Sequence, residues 1–265
     1  MRVLLTGASG GIGRRLRNLL KPHCTELILS DRVAPTDLRP DERFVHADLS
    51  KMEEVSDAVR NVGAIVHLGG HSVEGSWETI LQANIIGAYN LFEAARLAGV
   101  RRIIFASSNH VMGFYPRAQT VGTDALLLPD SRYGVSKAFG EALGAMYAHK
   151  YGMGVLCIRI GNVDDRPVDE RRLAIWLDPQ DLVALIRIGL EREDLAYEVV
   201  YGMSDNARAW WDNARARELG YAPTGRSEDH VAAALAAQAH LPPDPVGDQY
   251  QGGAFCSAEY STRRD

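Results

Sequence analysis

Lysine is scarce in this chain, four residues among 265, and basic side chains as a class (29) are outnumbered by acidic ones (34), for a formal net charge of −5. An acid-leaning protein has no electrostatic basis for gripping nucleic acid or an anionic membrane, so neither is expected as a partner. Cysteine is sparser still. Cys24, Cys157 and Cys256 stand alone, with no Cys-x-x-Cys pair among them. An odd, scattered set gives neither a disulfide framework nor a thiolate metal site, and no metal is expected. No apolar run approaches the roughly 18 residues of a membrane span. The opening "RVLL" is broken by glycines too soon to form the core of a secretion signal. A cytoplasmic protein is expected.

What the chain does have is alternation. Short apolar runs at 2–7, 26–31, 43–48, 64–69, 102–107 and 154–161 predict strands. Between them 10–20, 51–60, 75–98 and 134–151 carry helical periodicity, and 178–190 follows as a further helix with Asp178 as its N-cap. This order predicts an α/β fold, a Rossmann-type doubly wound parallel sheet covered by helices on both faces. After residue 160 the alternation loosens into the charged loop "DDRPVDERR" and an irregular tail, "LPPDPVGDQYQGGAF". The expected organisation is a sheet-and-helix core over 1–160. Residues 161–265 then form mainly a small C-terminal substrate cap and tail, packed with the core as one unit.

The turn "TGASGGIG" joins the first strand to the first helix and spaces Gly7, Gly10 and Gly13 three apart. Glycine lets a backbone approach pyrophosphate closely, and the helix start presents free N–H groups, including those of Gly11 and Ile12, to that anion. Asp31 lies 18 residues beyond Gly13, at the end of the second strand, where a carboxylate accepts both ribose hydroxyls of an adenosine. Its charge would repel a 2′-phosphate, which favours NAD over NADP, although Arg32 beside it and Arg14 and Arg15 on the first helix are cations that could offset it. Asp48 and Leu49, after the third strand, either border the adenine or cap the helix that follows.

One of the four lysines completes "RYGVSK": Tyr133 and Lys137 sit four apart on a predicted helix and therefore share a face. An ammonium beside a phenol favours the phenolate and lowers its pKa, which makes the pair a candidate base. Ser107 and Ser108 end the fifth strand, on the edge of an open α/β sheet where ligands bind, and Ser108 is placed to hold a substrate oxygen.

These pieces, with "HLGG" at 67–70, "NIIGAYN" at 84–90 and the Ser108/Tyr133/Lys137 spacing, resemble the extended short-chain dehydrogenase/reductase family, also described as NAD-dependent epimerases/dehydratases. The resemblance covers about residues 1–200. It implies Tyr133 as acid/base, Lys137 as its electrostatic partner and Ser108 as oxygen clamp, with Leu68, Gly69 and Gly70 beside the cofactor. Asn84 would support the proton-relay region, or be an ordinary polar residue on a helix face. Longer phrases, "FASSNHVMGFYP", "WWDN" and "QGGAF" among them, are similar to the branch that oxidises hexuronates of the galacturonate and glucuronate type at the anomeric carbon, giving an aldarolactone. That likeness implies a small-molecule sugar-acid substrate, a homo-oligomer, and substrate contacts from Ser72, Ser108, Asn109, His110, Tyr133, Asn162 and Arg171. Arg171 would grip the carboxylate, with Arg172 its rival. His110 and Trp210/Trp211 also have plain readings, the first as a strand-end residue satisfied by backbone and the tryptophans as core or subunit contacts. Two departures stand out: Asn162 occupies the place of an expected serine, and "DDRP" keeps one proline and adds two acids. The alternatives on this fold are a nucleotide-sugar epimerase or dehydratase, whose relatives carry larger caps, and a non-catalytic NAD sensor.

Overall fold

In a computed structural model describing residues 1–261, the apolar runs become strands, and in the central ones the side chains are covered on both faces. Such strands demand helices above and below, which is the environment of a parallel sheet. β1 (Arg2–Thr6), β2 (Glu26–Asp31), β3 (Arg43–His46), β4 (Ala64–His67), β5 (Arg102–Ser108) and β6 (Gly154–Ile160) match the expected segments. The short strands β7 (Asn162–Val163) and β8 (Trp176–Leu177) pair with each other in the cap. β9 (Tyr197–Gly202), which the sequence reading missed, adds beside β6. All seven strands of the main sheet run parallel in the order β3-β2-β1-β4-β5-β6-β9.

The order reverses at β1, which pairs with β2 on one side and β4 on the other. Successive crossovers leave in opposite directions from this point, so a crevice opens beyond the carboxyl ends of the strands. α1 (Gly11–Leu20) and α7 (Pro179–Glu191) cover one face, burying Leu16, Leu20, Leu182 and Ile186 against Leu5 and Val66. α2 (Met52–Ala58), α4 (Gly87–Leu97) and α5 (Arg132–Tyr151) cover the other, with Val55, Leu91, Phe92 and Tyr147 against Ile65 and Ile103. Asp178 caps α7 as expected, accepting a hydrogen bond from Gln180 N. Beyond residue 160, α7 and β9 thus belong to the layered core, while a third apolar cluster, Val111, Met112, Ile175, Tyr201 and Trp211, lies under the cap.

The expected helix 75–98 is interrupted. A single helical path runs through α3 (Trp77–Ile80), a π-helical stretch at Leu81–Ile86 and α4. The wide turn carries Asn84, whose Oδ1 accepts from His71 N (2.7 Å) and whose Nδ2 donates to His71 O (3.0 Å) and Ser136 Oγ (2.9 Å). Asn84 therefore ties the loop after β4 to α5. It does so as a buried bracket, not a helix-surface residue.

α5 is locked to the sheet by ions. Arg159 of β6 binds both carboxylate oxygens of Glu141 at 2.9 Å, and Ser107 Oγ donates to the same carboxylate at 2.6 Å. Both charged side chains are buried. A buried pair of this kind stabilises little against an apolar replacement, but losing one partner strands the other. Arg159→Met is expected to cost about 3–5 kcal/mol in urea unfolding, with Arg159→Met/Glu141→Leu recovering most of it. Equal stability of the single variant and wild type would refute this.

Candidate active site

A cleft of about 1050 Å³ runs along the carboxyl edge of the sheet. At one end is the start of α1. Its N-cap, Gly10, is extended and has no side chain to cap with, and no acidic residue stands in the first turn. Gly10 N bonds back to Gly7 O and Arg14 N begins the helical ladder, so among the described residues no acceptor meets the N–H groups of Gly11, Ile12 and Gly13. A Cβ on Gly13 would lie 2.3 Å from Gly7 O, so only glycine lets helix and turn close together. Three unspent amides at the positive end of a ten-residue helix fit a pyrophosphate.

Asp31 is aimed by backbone: its carboxylate accepts from Ser9 N (3.0 Å) and Arg32 N (2.8 Å) and keeps lone pairs for ribose hydroxyls. Arg15 is committed elsewhere, bridging to Asp164 at 2.7 Å and Asp165 at 3.5 Å, which takes it from any 2′-phosphate. Arg32 lines the cleft. Asp48 is not the cap of α2, whose N-cap is Lys51; it folds back on Ser50 N and Oγ instead and faces the cleft beside Leu49. Leu68, Gly69 and Gly70 form the opposite wall, with Gly69 N held by Thr6 Oγ1 at 3.2 Å.

At the middle of the cleft α5 begins. Ser131 accepts from Gly134 N at 3.0 Å, and Glu74, paired with Arg132 at 2.7 Å, accepts from Tyr133 N at 3.0 Å. The first turn is thereby fixed, and Tyr133 and Lys137 both face the cleft with Ser108 opposite. The expected phenolate-favouring contact is absent in its simple form. Lys137 Nζ donates to Ala106 O (2.8 Å) and stands 5.6 Å from the Tyr133 ring centroid. Burial dominates: it pushes the Tyr133 phenol up to about 12, with the Ser108 hydroxyl pulling part of the way back, and pushes the Lys137 ammonium down to about 8. The expectation of a lowered tyrosine pKa is corrected accordingly.

His110 is held by Asp130, whose Oδ2 lies 2.7 Å from Nδ1 and whose side chain is wholly buried. A carboxylate only accepts, so Nδ1–H donates and Nε2 is left as an acceptor. Burial keeps this imidazole's pKa below its usual value against the pull of Asp130. The ring stacks on Phe255 at 3.8 Å and meets Tyr133 edge-on at 5.8 Å.

The far end is polar and unsatisfied. Asn109 Nδ2, Asn162 Oδ1 and Arg171 Nη2 are buried atoms with no hydrogen-bond partner among the described residues, and all three residues line the cleft, as does Ser72. Arg172 bonds Asp169, whereas among the described residues Arg171 bonds only a backbone carbonyl, that of Gln251, at 2.9 Å. Burial, with Arg172 and Arg117 nearby, brings the Arg171 guanidinium down to about 10. Of the two rival arginines, Arg171 is the one with a buried donor to spare and no acid paired with it among the described residues.

Every residue expected at the site thus reaches one cleft. Ser107 lines it too, but its hydroxyl turns to Glu141. Trp211 is core, stacked on Tyr201 at 4.9 Å. Sequence reasoning missed Glu74, Asp130, Gln251 and Phe255. Only the last two carried a signal, inside "QGGAF". Lys137 generates a test of its own. Lys137→Met should stabilise the fold at pH 7 by at most about 3 kcal/mol, the equivalent of moving an ammonium from 10.5 to about 8. Folded wild type sheds that proton before the unfolded chain does, so wild type gains stability between about pH 8 and 10.5 and the gap closes there. Urea midpoints of both proteins at pH 7 and 10 check this; a pH-independent gap would contradict it.

Comparison with known proteins agrees with this architecture. Residues 3–164 match the model of the NAD dependent epimerase/dehydratase family. The uronate dehydrogenase of Pseudomonas putida is 45% identical over 259 residues, spanning 97% of this chain and 96% of its own length. The glucuronic acid dehydrogenase structure from Chromohalobacter salexigens superposes with a TM-score of 0.93 at 43% identity, covering 97% and 96% of the two chains. A variant of the Agrobacterium tumefaciens uronate dehydrogenase, solved with NAD, gives 0.92 at 41% identity and 97% coverage of both. On the matched domain, the near-full-length relatives and the shared sheet topology, the chain belongs to the NAD dependent epimerase/dehydratase family.

Proposed function

We propose that this chain is an NAD-dependent dehydrogenase that oxidises a hexuronate at its anomeric carbon to the aldarolactone. The observation that carries the reading is Arg171: a cation with a buried, unpartnered Nη2, in the same cleft as Tyr133 and Lys137. A guanidinium held by no acid is complementary to a carboxylate, which it binds through two parallel hydrogen bonds. The names of the relatives above point the same way.

The residues divide the work. Arg171 fixes the carboxylate end of the sugar, while Asn109, Asn162, Ser72 and the Nε2 acceptor of His110 meet its hydroxyls. Ser108 aligns the anomeric oxygen, and Tyr133 takes the proton from it. Lys137 supplies the positive charge that the developing phenolate needs, in surroundings where Coulomb interactions are strong. For Tyr133 to act as base with Lys137 as its cation, the pair must first lose a single proton. The unspent amides of Gly11, Ile12 and Gly13 bind the pyrophosphate, Asp31 the adenosine ribose, and Asp48 and Leu49 border the adenine, with Arg32, Gly7, Gly10, Leu68, Gly69 and Gly70 completing the walls. NAD, when bound, supplies the hydride acceptor. Phe255 and Glu74 exclude water and hold the first turn of α5.

After residue 160, the segments outside α7 and β9 act as the substrate-side cap. Tyr89 and Leu97 on α4 and Met146 and Tyr151 on α5 are exposed, which supports self-association into a homo-oligomer. Among the described residues no helix is long and apolar enough to cross a membrane; the proposed location is the cytoplasm, which three unpaired cysteines support.

Tyr133→Phe is expected to bind NAD as wild type does, by calorimetry, while NADH formation from galacturonate or glucuronate falls ~10²–10⁴-fold. Near-normal turnover would remove Tyr133 from the mechanism. In wild type, kcat/KM should rise with pH to a plateau, with a midpoint no higher than about 8, the value at which Lys137 gives up its proton. A rate that falls across that range would contradict the shared-proton unit.

A further inference from the structure

We infer that Gln251 is the positioning residue that aims Arg171, and that it thereby sets the preference for a sugar acid over the neutral sugar; this rests on the carboxylate-binding reading of Arg171. Gln251 is wholly buried, an unusual place for a primary amide. Each of its polar atoms is used. Nε2 donates to Pro116 O (3.1 Å) and Gln119 O (2.8 Å), and Oε1 accepts from Trp211 Nε1 (2.9 Å). Its backbone N–H donates to Tyr115 O (2.9 Å), and its carbonyl receives Arg171 Nε (2.9 Å). A buried amide this completely satisfied holds its backbone in one place.

That backbone is what orients the guanidinium. The group is planar, so fixing Nε–H against the Gln251 carbonyl fixes the directions of both terminal nitrogens. Asp169, two residues before it, is engaged by Arg172, and among the described residues neither Asp169 nor the adjacent Glu170 forms an ion pair with Arg171. The segment beyond Gln251 closes on the same side chain. Gly253 has φ 64 and ψ −134, and a Cβ there would sit 2.6 Å from Arg171 Nε. Two residues later Phe255 stacks on His110. One side chain therefore anchors the backbone carbonyl that aims the carboxylate-binding group. The holder is also neutral, and this matters chemically. A carboxylate in its place would cancel the cation's charge, whereas a carbonyl fixes geometry and leaves the charge for the substrate.

The test compares kcat/KM for galacturonate with that for galactose, its neutral counterpart, in wild type, Arg171→Met, Gln251→Met and Trp211→Phe. Gln251→Met keeps the length and removes the hydrogen bonds; Trp211→Phe removes only the donor into Oε1 while keeping a ring to stack on Tyr201. Both should raise the KM for galacturonate and reduce the acid-to-neutral ratio, about ten- to a hundredfold for Gln251→Met and less for Trp211→Phe, with kcat for galactose and affinity for NAD held. A loss shared equally by both sugars, or an unchanged ratio, would mean that Gln251 merely packs and would overturn the proposal. Should Gln251→Met not fold, the ratio in Trp211→Phe decides alone. An unchanged ratio in Arg171→Met is a different failure: it would remove Arg171 as the carboxylate site, whatever Gln251 does.

Discussion

Two cations, Lys137 and Arg171, sit in one cleft with no ion-pair partner among the described residues, and the rest of the site is arranged around that fact. Lys137 rests on the carbonyl of Ala106, and Arg171 rests on the carbonyl of Gln251. Burying a charge against a neutral dipole is costly, and both groups register the cost as lowered pKa values. Elsewhere the chain pairs its buried cations fully, Arg159 with Glu141 and Arg17 with Glu42. On the proposed reading, the contrast within one molecule separates structural ions from working ones. The unpaired charges stand where negative charge arrives in the proposed reaction, on the tyrosine oxygen and on the substrate carboxylate.

Bringing these two charges together is the work of the sheet edge. Thr6, Asp31, His67, Ser108 and Ile160 end their strands on one side because every pairing is parallel. Residues far apart in sequence become neighbours as a matter of register. Other acids and hydroxyls then hold the cleft side chains in place: Glu74 and Ser131 fix the start of α5, Glu141 and Ser107 fix its flank, and Asp130 fixes His110. Positioning is thus distributed over groups that a motif search passes by.

This explains what the sequence made legible. Gly7, Gly10, Gly13, Asp31, Tyr133 and Lys137 were readable because their chemistry depends on local spacing along a turn or a helix. Arg171 was separable from Arg172 only in three dimensions, since both lie in the same charged run and Asp169 chooses between them. Gln251, Asp130 and Glu74 act across 80, 20 and 59 residues of chain, on Arg171, His110 and Tyr133, and no spacing announces such contacts. β9 was missed for a related reason: its place in the sheet depends on pairing with β6, not on a flanking turn. The lowered phenol pKa failed because helical spacing states that two side chains share a face and says nothing of how dry that face is.

The wide turn at Leu81–Ile86 has a mechanical meaning of its own. A regular helix couples its two ends, so that rotating one to suit a binding loop would turn the other away from the sheet. An extra residue in one turn breaks that phase relation. The upstream part can then serve the His71 loop through Asn84 while Leu91, Phe92 and Ala95 keep their seats on the strands. Substitutions at the cleft loop and repacking beneath α4 become independent of one another, which gives the scaffold freedom to change what it recognises without disturbing what makes it fold.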